Sequence, residues 1–94
     1  MKSEITLHTT IQRKINLVSS KIDNEIVMMS VENGEYYGLD EIGSRIWEII
    51  EQPITTEYLI LMLMEEFEVN REDCEKDTFE FLHDLRAKML LETI

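Results

Sequence analysis

The stretch ENGEYYGLDEIGSRIWEIIEQPIT, residues Glu32–Thr55, joins a turn, a strand and a helix with almost no slack. Its Asn33-Gly34 pair is typical of a two-residue type I′ hairpin turn, because both turn positions need a positive φ. The segment Glu35–Leu39 then predicts an antiparallel strand. Asp40 predicts a helix N-cap, since its carboxylate can accept from the free amides of the first turn. Connections this short hold the strand against the helix and indicate a surface suited to binding a partner beside the strand.

The rest of the chain extends this unit in both directions. A weak apolar period over Lys14–Ile22 predicts an edge strand, and the β-rich Glu25–Glu32 predicts its partner. Three helices are predicted, one from Asp40 to Pro53, one capped by Thr55, and one capped by Asn70 that runs from Arg71 to about Lys88. A three-stranded antiparallel sheet followed by three helices is an α+β fold, and its last two helices resemble a helix-turn-helix.

Apolar periodicity assigns a buried face to each helix. In the first helix this face is Ile42, Ile46, Ile49 and Ile50. The third helix buries Cys74, Thr78, Phe81, Leu82 and Leu85. The second helix is apolar almost all round, and we expect Leu59, Met62 and Leu63 to face the core. Leu61 and Met64 are expected to point outward, which makes them a possible partner interface.

Length and composition predict one small domain. The 94 residues suit a single fold, with residues 1–13 as a flexible N-terminal segment and residues 14–94 as the folded domain. The longest apolar run, Tyr58–Met64, is too short to span a membrane, and no secretory signal precedes the fold. We therefore expect a cytoplasmic protein with no membrane partner. One cysteine excludes an internal disulfide and a cysteine metal cluster.

The charge argues against nucleic acid as a partner. Residues 23–94 carry five basic and nineteen acidic side chains, whereas residues 1–22 carry four basic and one acidic. The third helix, which a winged-helix protein would place on DNA, has four basic and six acidic residues over residues 70–88. An acidic surface repels phosphate, so a DNA-binding module is the less favoured alternative. A basic partner fits the charge better.

The sequence contains no catalytic constellation. His8 lies in the N-terminal segment, and His83 diverges by about 100° from its neighbour Asp84 on the third helix. The acidic run at residues 65–68 lacks the spacing of a calcium loop. Cys74 has two open interpretations, a small core residue or a thiol that lines a groove. We predict no enzyme activity, no cofactor and no metal, which leaves protein recognition at the exposed edge of the Glu35–Leu39 strand.

Three segments together resemble the PqqD-like family of recognition elements, which bind leader peptides of ribosomally made and modified peptides. They are SVENGEYYGLDEIGSRIWEII, PITTEYLILMLMEEFEV and DTFEFLHDLRAKMLL, and the resemblance covers roughly residues 15–91. A free-standing chain of this length is most similar to the leader-binding protein of lasso-peptide pathways. The family usually has glycine before its final Leu-Leu, where this chain has Met89.

The resemblance implies a winged helix-turn-helix whose third strand and third helix form a cleft. A leader with a Tyr-x-x-Pro element would enter as an added antiparallel strand and fill an apolar pocket. The implied cleft residues are Glu35, Tyr36, Tyr37, Gly38, Leu39, Cys74, Asp77, Thr78 and Phe81. The opposite flank of the third helix, with Phe79, is the alternative wall. Acidic helix faces are expected to steer basic leader residues and to make the association rate depend on salt.

The resemblance also implies partners. A lasso-type member works with a leader peptidase and an ATP-dependent macrolactam cyclase, and it has no activity of its own. Leu61 and Met64 would then dock the peptidase or a second copy of this chain; the alternative is that the N-terminal segment covers them. A PqqD-type peptide chaperone for a radical-SAM enzyme is the alternative function.

Overall fold

The structure is a computed structural model that describes residues 4–14, 17–23, 25–30 and 34–94. Its elements are β1 Thr10–Arg13, β2 Leu17–Ile22, β3 Glu25–Ser30, β4 Tyr36–Gly38, α1 Glu41–Ile49, β5 Ile54–Thr55, α2 Thr56–Glu66, α3 Arg71–Ala87 and β6 Leu91–Thr93. The predicted α+β class, with a three-stranded antiparallel sheet and three helices, is confirmed. The winged-helix description stays a prediction. None of the helices in the described ranges is long and apolar enough to cross a membrane.

The main sheet has the strand order β2-β3-β4, and both pairs are antiparallel. The register of the second pair sets Met28 opposite Tyr37 and Val27 opposite Gly38. Of the predicted hairpin turn, Asn33 lies outside the described residues, while Gly34 has the positive φ of 69° that the turn requires. Within the described part of the chain, β4 pairs with β3 alone, so its second edge carries no strand.

Ser44 of α1 joins this sheet to the helices. Its buried hydroxyl accepts a hydrogen bond from the Ile26 amide at 2.7 Å and donates one to the Leu39 carbonyl at 3.2 Å. The Leu39 amide donates directly to the Ile26 carbonyl at 2.8 Å. The hydroxyl therefore completes the last rung of the β3–β4 ladder and fixes the end of β4 on the first turn of α1.

The N-terminal segment is a correction to the sequence-based expectation. Residues 1–13 were expected to be flexible. Residues 1–3 lie outside the described residues, whereas β1 lies between β5 and β6 in a second sheet and buries Ile11 completely. Further backbone hydrogen bonds hold this segment: the Arg13 amide donates to the Ile50 carbonyl, and the Glu57 amide donates to the Leu7 carbonyl. These partners are roughly 35 to 80 residues away along the chain. Local periodicity does not report such pairing.

The helices begin at the predicted caps. Asp40, Thr55 and Asn70 each accept from the backbone amide three residues on. The buried face of α3 is confirmed at Cys74, Thr78, Leu82 and Leu85. Two predicted buried faces need correction. Ile42 is exposed at the start of α1, and α2 buries Ile60 where Met62 was expected. The buried faces of both helices are therefore rotated from the predicted ones.

A Schellman motif ends α3. The Met89 amide donates to the Arg86 carbonyl and the Leu90 amide to the Leu85 carbonyl, which are the two bonds that define the motif. Met89 has a φ of 62°, and its side chain is 61% exposed. This left-handed position favours glycine, because a Cβ crowds the backbone there. Met89 is therefore a point of local strain at the end of α3.

Replacing Met89 by glycine should stabilise the fold. Relief of the left-handed strain exceeds the added entropy of the unfolded chain, so we expect the free energy of unfolding to rise by about 1 kcal/mol. Urea denaturation followed by circular dichroism measures this change. Ala87→Gly is the matched control. Ala87 lies two residues earlier, at the last helical position of α3, and its replacement by glycine should destabilise the fold by about 1 kcal/mol. Equal effects of both substitutions would contradict the account.

Candidate peptide-binding groove

A groove runs along one face of α3 and has two compartments. The β4–α3 compartment, about 440 Å³, is lined by Met28, Tyr36, Tyr37, Gly38, Leu39, Asp40, Phe81, Asp84, Leu85, Lys88 and Leu90. The α1–α3 compartment, about 400 Å³, is lined by Asp40, Ile42, Gly43, Ile46, Leu63, Phe67, Val69, Cys74, Asp77, Thr78, Glu80, Phe81 and Asp84. The two share Asp40, Phe81 and Asp84, so they adjoin, and Phe81 lies at the boundary.

The outer edge of β4 faces this groove, and among the described residues no strand pairs with its backbone groups. The Leu39 amide points to β3, and the direction of backbone groups alternates along a strand. Tyr37 therefore also points to β3, while the amides and carbonyls of Tyr36 and Gly38 point to the open edge. No strand within the described residues covers this edge. It can accept a further antiparallel strand.

The α1–α3 compartment has an apolar floor. Ile46 and Leu63 are buried beneath it, and Phe67 and Val69 from the α2–α3 connection close one end. Exposed Ile42 forms part of the opposite wall. A cavity with apolar walls and an open mouth suits one apolar side chain of a ligand.

Carboxylates surround the groove. Asp40, Asp77, Glu80 and Asp84 all contribute to its lining. Lys88, which lines the β4–α3 compartment, forms an ion pair with Asp84 and lies 5.3 Å from the centre of the Tyr37 ring. One cation against four carboxylates leaves the groove acidic. Such a surface attracts a ligand with basic residues.

Cys74 is a buried thiol at the inner end of the groove. Its Sγ lies 3.9 Å from the Thr78 hydroxyl and 4.0 Å from the Ile60 carbonyl oxygen. Burial raises the pKa of this thiol above its ordinary value, although the contact with Thr78 opposes the rise. The thiolate form is therefore scarce at neutral pH. Cys74 serves both interpretations from the sequence, because it packs in the core and also lines the α1–α3 compartment.

The structure brings most of the predicted site residues together. Tyr36, Tyr37, Gly38 and Leu39 line the β4–α3 compartment, and Cys74, Asp77, Thr78 and Phe81 line the α1–α3 compartment. Glu35 lines neither compartment, and its carboxylate accepts from the Tyr37 hydroxyl at 3.0 Å. Phe79, the alternative wall, packs against the core and also lines neither compartment. The flank of α3 that faces the groove is thus the one with Asp77.

The predicted outward pair on α2 is only half right. Leu61 is 45% exposed, whereas Met64 is half-buried and packs against the core. Tyr58, one turn before Leu61, is 61% exposed and takes the place of Met64 on the outer face of α2. A surface depression of about 470 Å³ lies beside Tyr58 and is also lined by Ile49, Pro53, Ile54 and Met62, among others.

Sequence reasoning missed several residues of the groove. Phe67 and Val69 line its inner end, and Asp84 and Lys88 extend it past Phe81. Asp84 and Lys88 lie three and seven residues after Phe81, so they share its face of α3. This helical spacing is the sequence signal that would have identified them as groove residues. The structure also shows no group of three or more potential ligands that could hold a metal ion, within the ranges it describes.

The fold and the groove define a small α+β domain with a strand edge open to a peptide, and comparison with known proteins agrees. Residues 25–91 match the family described as coenzyme PQQ synthesis protein D (PqqD). The chain belongs to this family. The resemblance drawn from the sequence is therefore confirmed. No curated protein sequence matches the chain.

Three solved structures are similar to the chain. TbiB1, in complex with the TbiA(beta) leader peptide, is 37% identical with a TM-score of 0.79, and the match covers 86% of this chain and 94% of that one. A lasso peptide synthetase B1, complexed with the leader peptide, shares the fold at 20% identity and a TM-score of 0.75, covering 87% and 96%. The PqqD part of Methylobacterium extorquens PqqCD, described as a stand-alone recognition element, shares the fold at 16% identity and a TM-score of 0.72, covering 88% of each chain.

The buried thiol gives a pH-dependent prediction for the free protein. Because the pKa of Cys74 is raised, its thiolate forms only at higher pH than in an ordinary cysteine. Alkylation by iodoacetamide should therefore be slow at pH 7 and should still accelerate above the pH at which a free thiol levels off. Intact-mass spectrometry measures the rate, because Cys74 is the one cysteine of the chain. Alkylation at pH 7 as fast as in the urea-unfolded chain would contradict this prediction.

Proposed function

We propose that this protein binds the leader peptide of a ribosomally made precursor as an added antiparallel strand along the outer edge of β4. The observation that carries the proposal is the pair of outward-pointing residues, Tyr36 and Gly38, whose backbone groups face α3 across the groove. Strand addition satisfies these groups and supplies affinity that does not depend on side chains. A relative that is 37% identical and bound to a leader peptide supports the proposal.

Side chains of the leader would supply specificity. An apolar residue beside the added strand would enter the α1–α3 compartment and pack on Ile46, Leu63 and Phe81. Apolar anchors in desolvated pockets usually carry most of the binding free energy of an interface. A Tyr-x-x-Pro leader, as expected from the family resemblance, has the apolar character that this compartment requires.

The protein would act without catalysis. By holding the leader, it would raise the local concentration of the precursor near a leader peptidase and a macrolactam cyclase. The lasso class is favoured over a PqqD-type chaperone for a radical-SAM enzyme by the similarity to TbiB1 and to a lasso peptide synthetase B1, both of which are in complex with leader peptides. Binding needs no cofactor and no metal.

Removing one outward amide tests strand addition. Gly38→Pro deletes the amide that points to the leader and keeps the β3 pairing, because proline is tolerated on the open side of an edge strand. We expect leader affinity to fall about tenfold or more, since a main-chain bond is lost and its partner is left unpaired. Fluorescence polarisation with a labelled leader from the neighbouring precursor gene measures the affinity.

The matched control is Gly38→Ala, which retains the amide. An added Cβ at this position meets no atom within 4 Å, so the strand accommodates it. Gly38→Ala should therefore bind far more tightly than Gly38→Pro, and both variants should keep the circular dichroism spectrum of the parent. Equal affinities of the two variants would mean that the β4 edge does not pair with the leader.

The acidic rim of the groove predicts a salt-dependent association rate. Asp77→Asn together with Glu80→Gln removes two charges from the rim and leaves the apolar floor intact. If the rim steers basic leader residues, the double variant should associate more slowly at low salt and should respond less to added salt. Stopped-flow fluorescence measures the association rate of the parent and of the double variant at low salt and at added salt. A salt response identical to that of the parent would remove the rim from the binding mechanism.

We also propose that the outer face of α2 docks a partner protein, with the leader peptidase as the first candidate. Tyr58 and Leu61 are the exposed apolar residues of this face, which lies outside the lining of both groove compartments. Exposed apolar patches of this kind mark interfaces. Tyr58 would sit at the centre with the adjacent 470 Å³ depression as the receiving pocket.

A charge-matched pair of variants tests this interface. Tyr58→Glu with Leu61→Glu should weaken binding to the purified peptidase at least about tenfold, because two carboxylates replace apolar contacts. Leader affinity should not change. Ile22→Glu with Ile94→Glu adds the same charge at two other exposed apolar positions and should leave both interactions intact. Calorimetry with the peptidase measures the effect, and equal binding by both double variants would refute the interface.

A further inference from the structure

The boundary between the two compartments is the ring of Phe81, and the residue opposite this ring is Gly43. A Cβ built on Gly43 would lie 3.1 Å from Phe81 Cε1 and 3.4 Å from Cζ. It would also lie 3.1 Å from Asp40 Oδ1, the oxygen that caps α1 through the Gly43 amide. Unstrained carbon atoms meet at about 3.5–4.0 Å. The Phe81 ring therefore occupies space that any other residue at position 43 would take.

The backbone conformation at position 43 does not require a glycine. It lies in the first turn of α1 with ordinary helical geometry, where glycine is the poorest helix former apart from proline. Alanine would suit the helix better. Close approach of the Phe81 ring supplies the reason that helix propensity does not.

We infer that Gly43 is a positioning residue for the leader groove. Its missing side chain lets the Phe81 ring lean onto α1, and the position of the ring sets the width of both compartments. This inference rests on the proposed leader binding and deepens it, because it names the contact that decides which apolar side chain the α1–α3 compartment accepts. Gly43 itself lines the α1–α3 compartment, and its effect on the leader is exerted through the Phe81 ring.

The first arm of the test uses the free protein and needs no leader. In Gly43→Ala the added methyl must push the Phe81 ring away from α1. Aromatic NMR spectra should show larger shifts for the Phe81 ring protons than for those of Phe79, which packs outside both compartments. The thermal midpoint of each variant, followed by circular dichroism, reports whether the fold is retained. An unshifted Phe81 ring would overturn the inference.

The second arm is a double-mutant cycle on leader affinity. Gly43→Ala should weaken binding of the labelled leader about tenfold in the parent chain and less than about twofold in a Phe81→Leu chain. A leucine lacks the ring atoms that the new methyl meets. An equal loss in both chains would assign the effect to the Asp40 cap and would also overturn the inference.

The two arms separate this inference from the proposed function. If the Phe81 ring shifts as expected but the parent protein binds no leader, the proposed function fails and the placement of the ring by Gly43 stands. If the parent binds the leader and the ring does not shift, leader binding stands and the inference fails. Coupled loss of affinity together with a shifted ring supports both.

Discussion

The hydroxyl of Ser44 is the interaction on which the rest of the structure depends. It replaces one bond of the β3–β4 ladder by a relay from the Ile26 amide to the Leu39 carbonyl. Because Ser44 belongs to α1 and is only 2% exposed, the relay ties the end of β4 to a helix in a place that water does not reach. A buried polar group with both partners satisfied holds a single arrangement of the elements around it.

That arrangement explains why β4 is suited to a partner. A short strand paired on one side only is a risk for nonspecific association, and proteins usually cover or interrupt such an edge. Here α3 stands across the groove from β4, with Phe81 and Lys88 on its facing side, and in the proposed complex one extended chain lies between them. The strand edge supplies generic backbone bonding, while the helix supplies walls, charges and a pocket. Recognition in the proposed complex thus combines an unspecific element with a selective one.

Local sequence signals predicted much of this arrangement. The caps at Asp40, Thr55 and Asn70 were visible because capping is chemistry within four residues. The second sheet was not visible, since β1 finds its partners far along the chain and carries no period of its own. The same limit explains the groove: its α3 residues follow from helical spacing, whereas Phe67 enters it from a connection whose path depends on packing. The relay through Ser44 has no local signature either.

Backbone amide exchange in the leader complex tests the central claim most directly. In the free protein the amides of Tyr37 and Leu39 point to β3 and those of Tyr36 and Gly38 point to the groove. On saturation with the leader from the neighbouring precursor gene, the account predicts that the exchange of the Tyr36 and Gly38 amides slows strongly, while Tyr37 and Leu39 change little. Unchanged exchange at Tyr36 and Gly38 in a saturated complex would contradict strand addition at β4.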